Sequence, residues 1–172
     1  MSPRVARLAL ATLLVSIYGS LAFVRKLTNA LRDAGHLRTV VGVAFALAAT
    51  AVVVLLVRHP ALRRPRTALL VLAAGALYAA VIWPMDSPEE KLHFIEYGAV
   101  GVLWFLSLPP QWAMPKRWVT AALATVASGW LDEGIQALIP SRYYDLRDVG
   151  FNALAGVMAL TVFTVAARLS RT

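Results

Sequence analysis

The chain lacks cysteine altogether and has few acidic residues, with 9 Asp and Glu against 17 Lys and Arg in 172 residues. Without cysteine there is no disulfide framework, no thiolate nucleophile and no cysteine ligand for zinc. Charged residues make up 15% of the chain, whereas water-soluble domains average about 25%. This shortage, together with a mean hydropathy of +0.67, excludes a disordered chain, a coiled coil and an ordinary water-soluble domain.

The hydrophobic residues, 59% of the chain, lie in long blocks that nine prolines separate. Proline lacks an N–H and clashes with the preceding turn, so it interrupts helices. Each block has about 20 residues, the length of helix that crosses ~30 Å of hydrocarbon. The sequence therefore predicts an all-α fold, a polytopic transmembrane helical bundle of about six spans that forms a single membrane domain over residues 1–172. The predicted spans are Leu8–Val24, Thr39–Val57, Thr67–Trp83, Leu92–Leu108, Trp118–Ile139 and Val149–Ala167.

Basic residues lie in short clusters between the hydrophobic blocks, as juxtamembrane anchors do, so membrane lipids rather than nucleic acid are the expected partners. The densest cluster, between Arg58 and Arg66, predicts that this connection and both termini are cytoplasmic. The first block is longer than the ~7–15 residues of a signal-peptide core, so we expect it to be retained. The segment Arg25–Arg38 is either an interfacial amphipathic helix or a basic loop.

Acidic residues are concentrated in the second half of the chain. Asp33 is the only one before Asp86, so residues 1–66 are expected to form two scaffold spans. Counting membrane crossings puts the start of span four, the end of span five and the start of span six on one face, predicted to be the outer one. The polar residues in these three places are His93, Glu96, Tyr97, Asp132, Glu133, Gln136, Arg142, Asp145, Asp148 and Asn152.

The spacing of these residues indicates a shared pocket. His93, Glu96 and Tyr97 stand at i, i+3 and i+4 and so share one helical stripe. An acid at the centre of the bilayer costs ~2.5–3.5 kcal/mol, which favours a ligand or catalytic pocket over polar residues that only hold helices together. His93, Asp132 and Glu133 are the candidates for general acid or base, and the other seven residues are candidates for binding. No metal site is predicted, and the sequence indicates no particular cofactor.

Three motifs carry these residues. They are Glu90-Lys-Leu-His93-Phe-Ile-Glu96-Tyr97-Gly98, then Asp132-Glu133-x-x-Gln136, then Pro140-x-Arg142-x-x-Asp145-x-x-Asp148-x-x-x-Asn152. In this order and with these gaps they resemble the VanZ-like family, which is named for a teicoplanin-resistance determinant. The resemblance covers about residues 80–165, and the first two spans carry no motif.

The VanZ-like resemblance implies a bacterial inner-membrane protein with a role linked to the cell envelope, glycopeptide antibiotics and antibiotic resistance. It supplies no mechanism. The family tends to place glycine three residues after the asparagine, where this chain has Ala155 followed by Gly156, so we expect a slight change in helix packing. The positions carried over are His93, Tyr97, Asp132, Glu133, Gln136, Arg142, Asp148 and Asn152.

Three classes of function remain open from the sequence. The first is an envelope enzyme that acts on a lipid-linked or anionic substrate, with Arg142 holding its phosphate or carboxylate. No G-x-S-x-G nucleophile motif supports it, and a metal site made of His93, Glu96 and Asp132 is a loose alternative. The second is a non-enzymatic binder or partner-docking protein. The third, a transporter, is disfavoured because the polar residues crowd one face.

Overall fold

A computed structural model of the chain describes residues 1–58, 64–85, 88–139 and 144–169. In these ranges the protein is all-helical and has no strand, as the sequence predicts. The predicted spans all fall on helices, although the helix ends differ by several residues. The helices are α1 (Pro3–Asp33), α2 (Leu37–Arg58), α3 (Pro65–Ile82), α4 (Pro88–Ser107), α5 (Met114–Gln136) and α6 (Leu146–Leu169).

Prolines stand in the first turn of four helices, α1, α3, α4 and α5. The fixed φ of proline suits this position, and its missing N–H is one that has no helical partner there. Ser2 caps α1 by accepting a hydrogen bond from the Val5 N–H at 3.4 Å. The prolines that separate the hydrophobic blocks in the sequence therefore also begin helices.

Helix α1 extends well beyond the predicted first span. The segment that the sequence left open between an interfacial helix and a loop is helical, and as far as Asp33 it continues α1. The helix stops before Gly35, whose φ of +73° is in the left-handed region, and the His36 N–H donates to the Leu31 carbonyl at 2.8 Å. Residues Lys26–Asp33 and Leu37–Ala51 then meet at a bend of 113°.

Helices α4 and α6 form the centre of the bundle, with α1 and α5 packed against α4 and with α3 and α5 packed against α6. The backbones of α4 and α6 approach closely because both have glycine at the crossing. A Cβ on Gly101 would lie 2.8 Å from the Gly156 carbonyl oxygen, and a Cβ on Gly156 would overlap the Thr125 side chain of α5. This close packing brings α4, α5 and α6 together where their polar residues lie.

Within the described ranges, three helical stretches are long and apolar enough to cross a membrane, namely Pro3–Leu21, Pro65–Ile82 and Leu146–Arg168. The bent pair formed by Lys26–Asp33 and Leu37–Ala51 gives a fourth if it is one span. Large apolar side chains face outward, as at Leu8, Leu47 and Leu69, which are 66–70% exposed. Such an apolar exterior is typical of a surface that contacts lipid.

Candidate functional site

The polar residues of α4 and α5 meet at the end of the bundle where α4 and α6 begin and α5 ends, which we call the polar end. His93 Nδ1 lies 3.8 Å from Asp132 Oδ2 of α5 and 3.8 Å from Glu96 Oε2 of its own helix. The imidazole of His93 also stacks beside the ring of Tyr97, with centroids 6.2 Å apart. An imidazole between two carboxylates is an arrangement that can accept, hold and return a proton.

Four polar side chains at the polar end are almost completely buried. Asp132 and Asn152 are 0% exposed, Glu133 is 1% exposed and Gln136 is 4% exposed. Together with His93 these residues form the polar cluster. Its members carry seven buried polar atoms that have no hydrogen-bond partner among the described residues. These atoms are His93 Nδ1, Asp132 Oδ1 and Oδ2, Glu133 Oε1, Gln136 Nε2, and Asn152 Nδ2 and Oδ1.

Glu133 connects the cluster to the start of α6. Its Oε2 accepts a hydrogen bond from the Asp145 N–H at 3.2 Å, while its Oε1 remains without a partner. Asp145 Oδ1 in turn accepts from the Arg147 N–H at 2.8 Å, which caps the N-terminus of α6. Asp148 lies in the first turn of α6, where the helix dipole stabilises a negative charge. Asp145 therefore has a structural role here, and one oxygen of Glu133 has no partner among the described residues.

A second polar network lies one turn deeper and centres on Ser128 of α5. The Ser128 carbonyl accepts hydrogen bonds from the hydroxyls of Tyr97 at 3.2 Å and Tyr18 at 2.9 Å. Its hydroxyl accepts from Trp104 Nε1 at 3.1 Å and donates to the Ala124 carbonyl at 2.8 Å. This Ser128 network is closed, since the polar groups named here all have partners.

Sequence reasoning missed three residues of this region: Tyr18, Ser128 and Gly129. A Cβ on Gly129 would lie 3.1 Å from Asn152 Cβ and 3.6 Å from Tyr97 Cε1, so glycine here lets α4, α5 and α6 close around the site. The available signal for Tyr18 was a large polar aromatic residue in a first span whose other polar side chains are small hydroxyls. The small pair Ser128-Gly129, one turn before Asp132, was the signal for the other two.

A small groove between α1 and α4 borders the site. It encloses about 60 Å³ and reaches His93 and Glu96. Its walls are mostly apolar, and Ser20 and Thr28 add hydroxyls from α1. Helix α1 therefore contributes to the site as well as to the scaffold. The lining consists of Ile17, Ser20, Leu21, Val24, Thr28, Leu92, His93 and Glu96.

The structure gives no metal-binding group of three or more His, Asp or Glu side chains within the ranges that it describes. Arg142, the cation predicted to hold a phosphate or carboxylate, lies outside the described residues. In the described part of the site hydrogen-bond acceptors outnumber donors, because four of the seven unpartnered atoms are oxygens and two are amide nitrogens. Such a site can receive groups that donate hydrogen bonds, such as hydroxyls, amides or ammonium groups.

Comparison with known proteins gives no match to this chain from family models, from curated proteins or from solved structures. The VanZ-like resemblance therefore depends on the sequence motifs alone.

Proposed function

We propose that the chain is a VanZ-like protein of a bacterial inner membrane whose polar cluster binds the head group of a lipid-linked or anionic envelope ligand. In this proposal each of the six helices crosses the bilayer, both termini are cytoplasmic and the polar end faces outward. The helices have 18 to 31 residues, so at ~1.5 Å per residue even the shortest spans about 27 Å. The unpartnered buried atoms of the polar cluster are the observation that carries the proposal.

The free-energy cost of leaving these atoms unpartnered is the physical reason for proposing a ligand. A buried polar group without a partner costs about 1–3 kcal/mol, and more if it is charged. In the Ser128 network the polar groups that join helices have partners, and elsewhere in the described ranges only single buried atoms, Thr67 Oγ1 and Arg117 Nε, have none. The polar cluster, four residues further along α5, has seven orphaned atoms instead. Intramembrane ionisable groups that are left in this way are functional by default.

The chemistry of the cluster favours a ligand rich in hydroxyl and amide groups. Asp132, Glu133 and Asn152 offer oxygens, which accept hydrogen bonds from sugar hydroxyls or peptide N–H groups. The head groups of lipid-linked cell-wall precursors carry both kinds of donor together with anionic groups. Arg142 remains the predicted partner for the anionic part, because its planar fork binds phosphate or carboxylate in bidentate fashion.

The groove between α1 and α4 favours a ligand attached to a lipid. At about 60 Å³ it is too small for a sugar head group, but its apolar side chains Ile17, Leu21 and Leu92 suit part of an acyl chain beside His93 and Glu96. A transporter is less well supported, because the hydroxyls of Tyr18 and Tyr78 both donate to helix carbonyls. These two hydroxyls of α1 and α3 are thereby used for packing rather than for a path across the bundle.

The pair His93 and Asp132 gives the same pocket a route to catalysis. Their separation of 3.8 Å is longer than a hydrogen bond, and such pairs often tighten only when the substrate is bound. His93 would then take a proton from a hydroxyl or amine of the ligand, and Asp132 would stabilise the imidazolium. An enzyme of this kind would turn over its ligand, whereas a pure binder would only retain it.

Native mass spectrometry of the purified full-length protein tests the proposal, with a polyprenyl-pyrophosphate-linked disaccharide peptide as the probe. We expect Asp132→Asn and Glu133→Gln to weaken binding by about ten-fold or more, since hydrogen bonds to charged groups contribute ~1.5–3 kcal/mol. Asp33→Asn is the matched control, because Asp33 is exposed at the end of α1.

Teicoplanin susceptibility of a bacterial host that expresses each variant links this binding to the envelope. We expect the wild type and Asp33→Asn to change susceptibility, and Asp132→Asn to leave it at the level of the empty host. Equal probe binding by all three proteins would contradict the proposal and would favour a structural or partner-docking role. Chemical change of the probe by wild type but not by His93→Gln would assign catalysis to the pocket.

A further inference from the structure

A second groove lies on another side of α4, between α2, α3 and the start of α4, and we call it the α2–α4 groove. It encloses about 510 Å³, much more than the groove at the polar cluster. Apolar side chains form most of its surface, and two cations, Arg38 and Lys91, lie at its rim. Its lining consists of Arg38, Val41, Gly42, Phe45, Ala79, Ile82, Trp83, Met85 and Lys91.

The α2–α4 groove is separate from the polar cluster. Lys91 and His93 are two positions apart on α4, so they point about 200° apart around the helix axis. His93 accordingly lines the groove against α1, whereas Lys91 lines the groove against α2 and α3. A ligand in the α2–α4 groove would not use the carboxylates or amides of the polar cluster.

The two cations at the rim have no acidic partner within the part of the chain that the structure describes. Neither Arg38 nor Lys91 makes an ion pair there. Trp83, which also lines the groove, is 87% exposed. Tryptophan is enriched at the interface between membrane and water. The groove thus combines an apolar wall, an exposed aromatic ring and two positive charges that have no acidic partner in the described ranges.

We propose that the α2–α4 groove binds an anionic phospholipid, with the phosphate between Arg38 and Lys91 and an acyl chain along Val41, Phe45 and Ile82. Charge complementarity selects this occupant. Basic pockets between transmembrane helices are suited to anionic head groups, whereas the ammonium of a zwitterionic lipid would be repelled by the two cations. The apolar wall requires a chain as well as a phosphate.

Removal of the two charges tests the proposed role of the phosphate. The full-length protein is titrated in detergent with phosphatidylglycerol and with phosphatidylcholine, and lipid binding is followed by native mass spectrometry. We expect Arg38→Gln with Lys91→Gln to weaken phosphatidylglycerol binding about 30-fold, since each basic residue near a lipid surface contributes about five-fold. Binding of phosphatidylcholine should stay weak and unchanged.

The matched control removes the same charge from the same end of the bundle but outside the groove. Lys26→Gln with Arg147→Gln does so, since both side chains are exposed and neither lines the α2–α4 groove. This control should bind phosphatidylglycerol as the wild type does. An equal loss in both double variants would overturn the proposal in favour of general surface electrostatics, and no loss in the first would overturn it outright.

Filling the groove tests the proposed role of the acyl chain without changing any charge. A Cβ on Gly42 would meet no atom within 4 Å, so Gly42→Leu extends into the groove without a clash. Gly75→Leu is the control, because Gly75 has equally open surroundings in α3 but does not line the groove. We expect at least a ten-fold weaker affinity for phosphatidylglycerol in Gly42→Leu alone.

Competition with soluble glycerol phosphate distinguishes a lipid-binding groove from a site for free phosphate. It should compete poorly against phosphatidylglycerol for the wild-type protein, because it lacks the chain that the apolar wall holds. Competition by glycerol phosphate as strong as by the lipid would reject the lipid and indicate a phosphate site. Unchanged lipid binding by Gly42→Leu would also reject the proposed lipid site, provided that the variant elutes as a folded protein in size-exclusion chromatography.

Discussion

Two polar networks lie one helical turn apart on α5, and they differ in how completely their groups are paired. Around Ser128, two tyrosine hydroxyls, an indole N–H and a serine hydroxyl are all joined to partners. Around Asp132, seven buried polar atoms have no partner in the described chain. Both networks experience the same low dielectric and are only ~6 Å apart along the helix. These unpartnered atoms are the difference on which the proposed binding site depends.

The largest effect should come from a change that disrupts both networks. Gly129 lies between them, and its place is closed by Asn152 and Tyr97. Gly129→Leu should destabilise the protein by about 3 kcal/mol, since an overpacked interior must shift its backbone or leave its rotamers. Thermal unfolding in detergent measures this. Gly134→Leu, whose Cβ would meet no atom within 4 Å, should unfold like the wild type.

A smaller loss of stability should follow when only the Ser128 network is broken. Ser128→Ala removes the acceptor of Trp104 Nε1 and leaves that N–H unpaired. We expect a destabilisation of about 2 kcal/mol with lipid-linked probe binding retained. Ser107→Ala is the control, because the Ser107 hydroxyl bonds only the Trp104 carbonyl in the preceding turn. A Ser128→Ala protein as stable as the control would show that the Ser128 network contributes little to the stability of the protein.

The smallest expected effect on stability is a gain, and it comes from Asp132→Asn. Asp132→Asn removes a buried charge and brings an N–H donor beside unpartnered oxygens. We expect the free energy of unfolding to rise by about 1 kcal/mol while binding of the lipid-linked probe is lost. Denaturant titration beside the binding assay measures both quantities. If Asp132→Asn destabilises the protein as much as Ser128→Ala does, the two networks have the same role and the comparison fails.

The helices and the meeting of polar residues could be predicted because both follow from local rules. Proline positions and block lengths gave the six helices, and helical spacing put His93 and Glu96 on one face. Counting crossings brought His93 near Asp132, which lies 3.8 Å away in the structure. The length of α1 was not predictable in this way, because its basic last part suits a loop or a helix equally until the turn at Gly35 ends it.

Proline geometry and helical periodicity act within a few residues, so the helices and the polar residues near their ends follow from local sequence. Which of those polar groups are paired depends on the packing of the helices. Tyr18 reaches the Ser128 carbonyl across 110 positions of sequence, and Gly101 and Gly156 allow the close crossing that buries Asn152. Whether a buried atom finds a partner depends on side chains from other helices at distances of about 3 Å, and no local pattern encodes that.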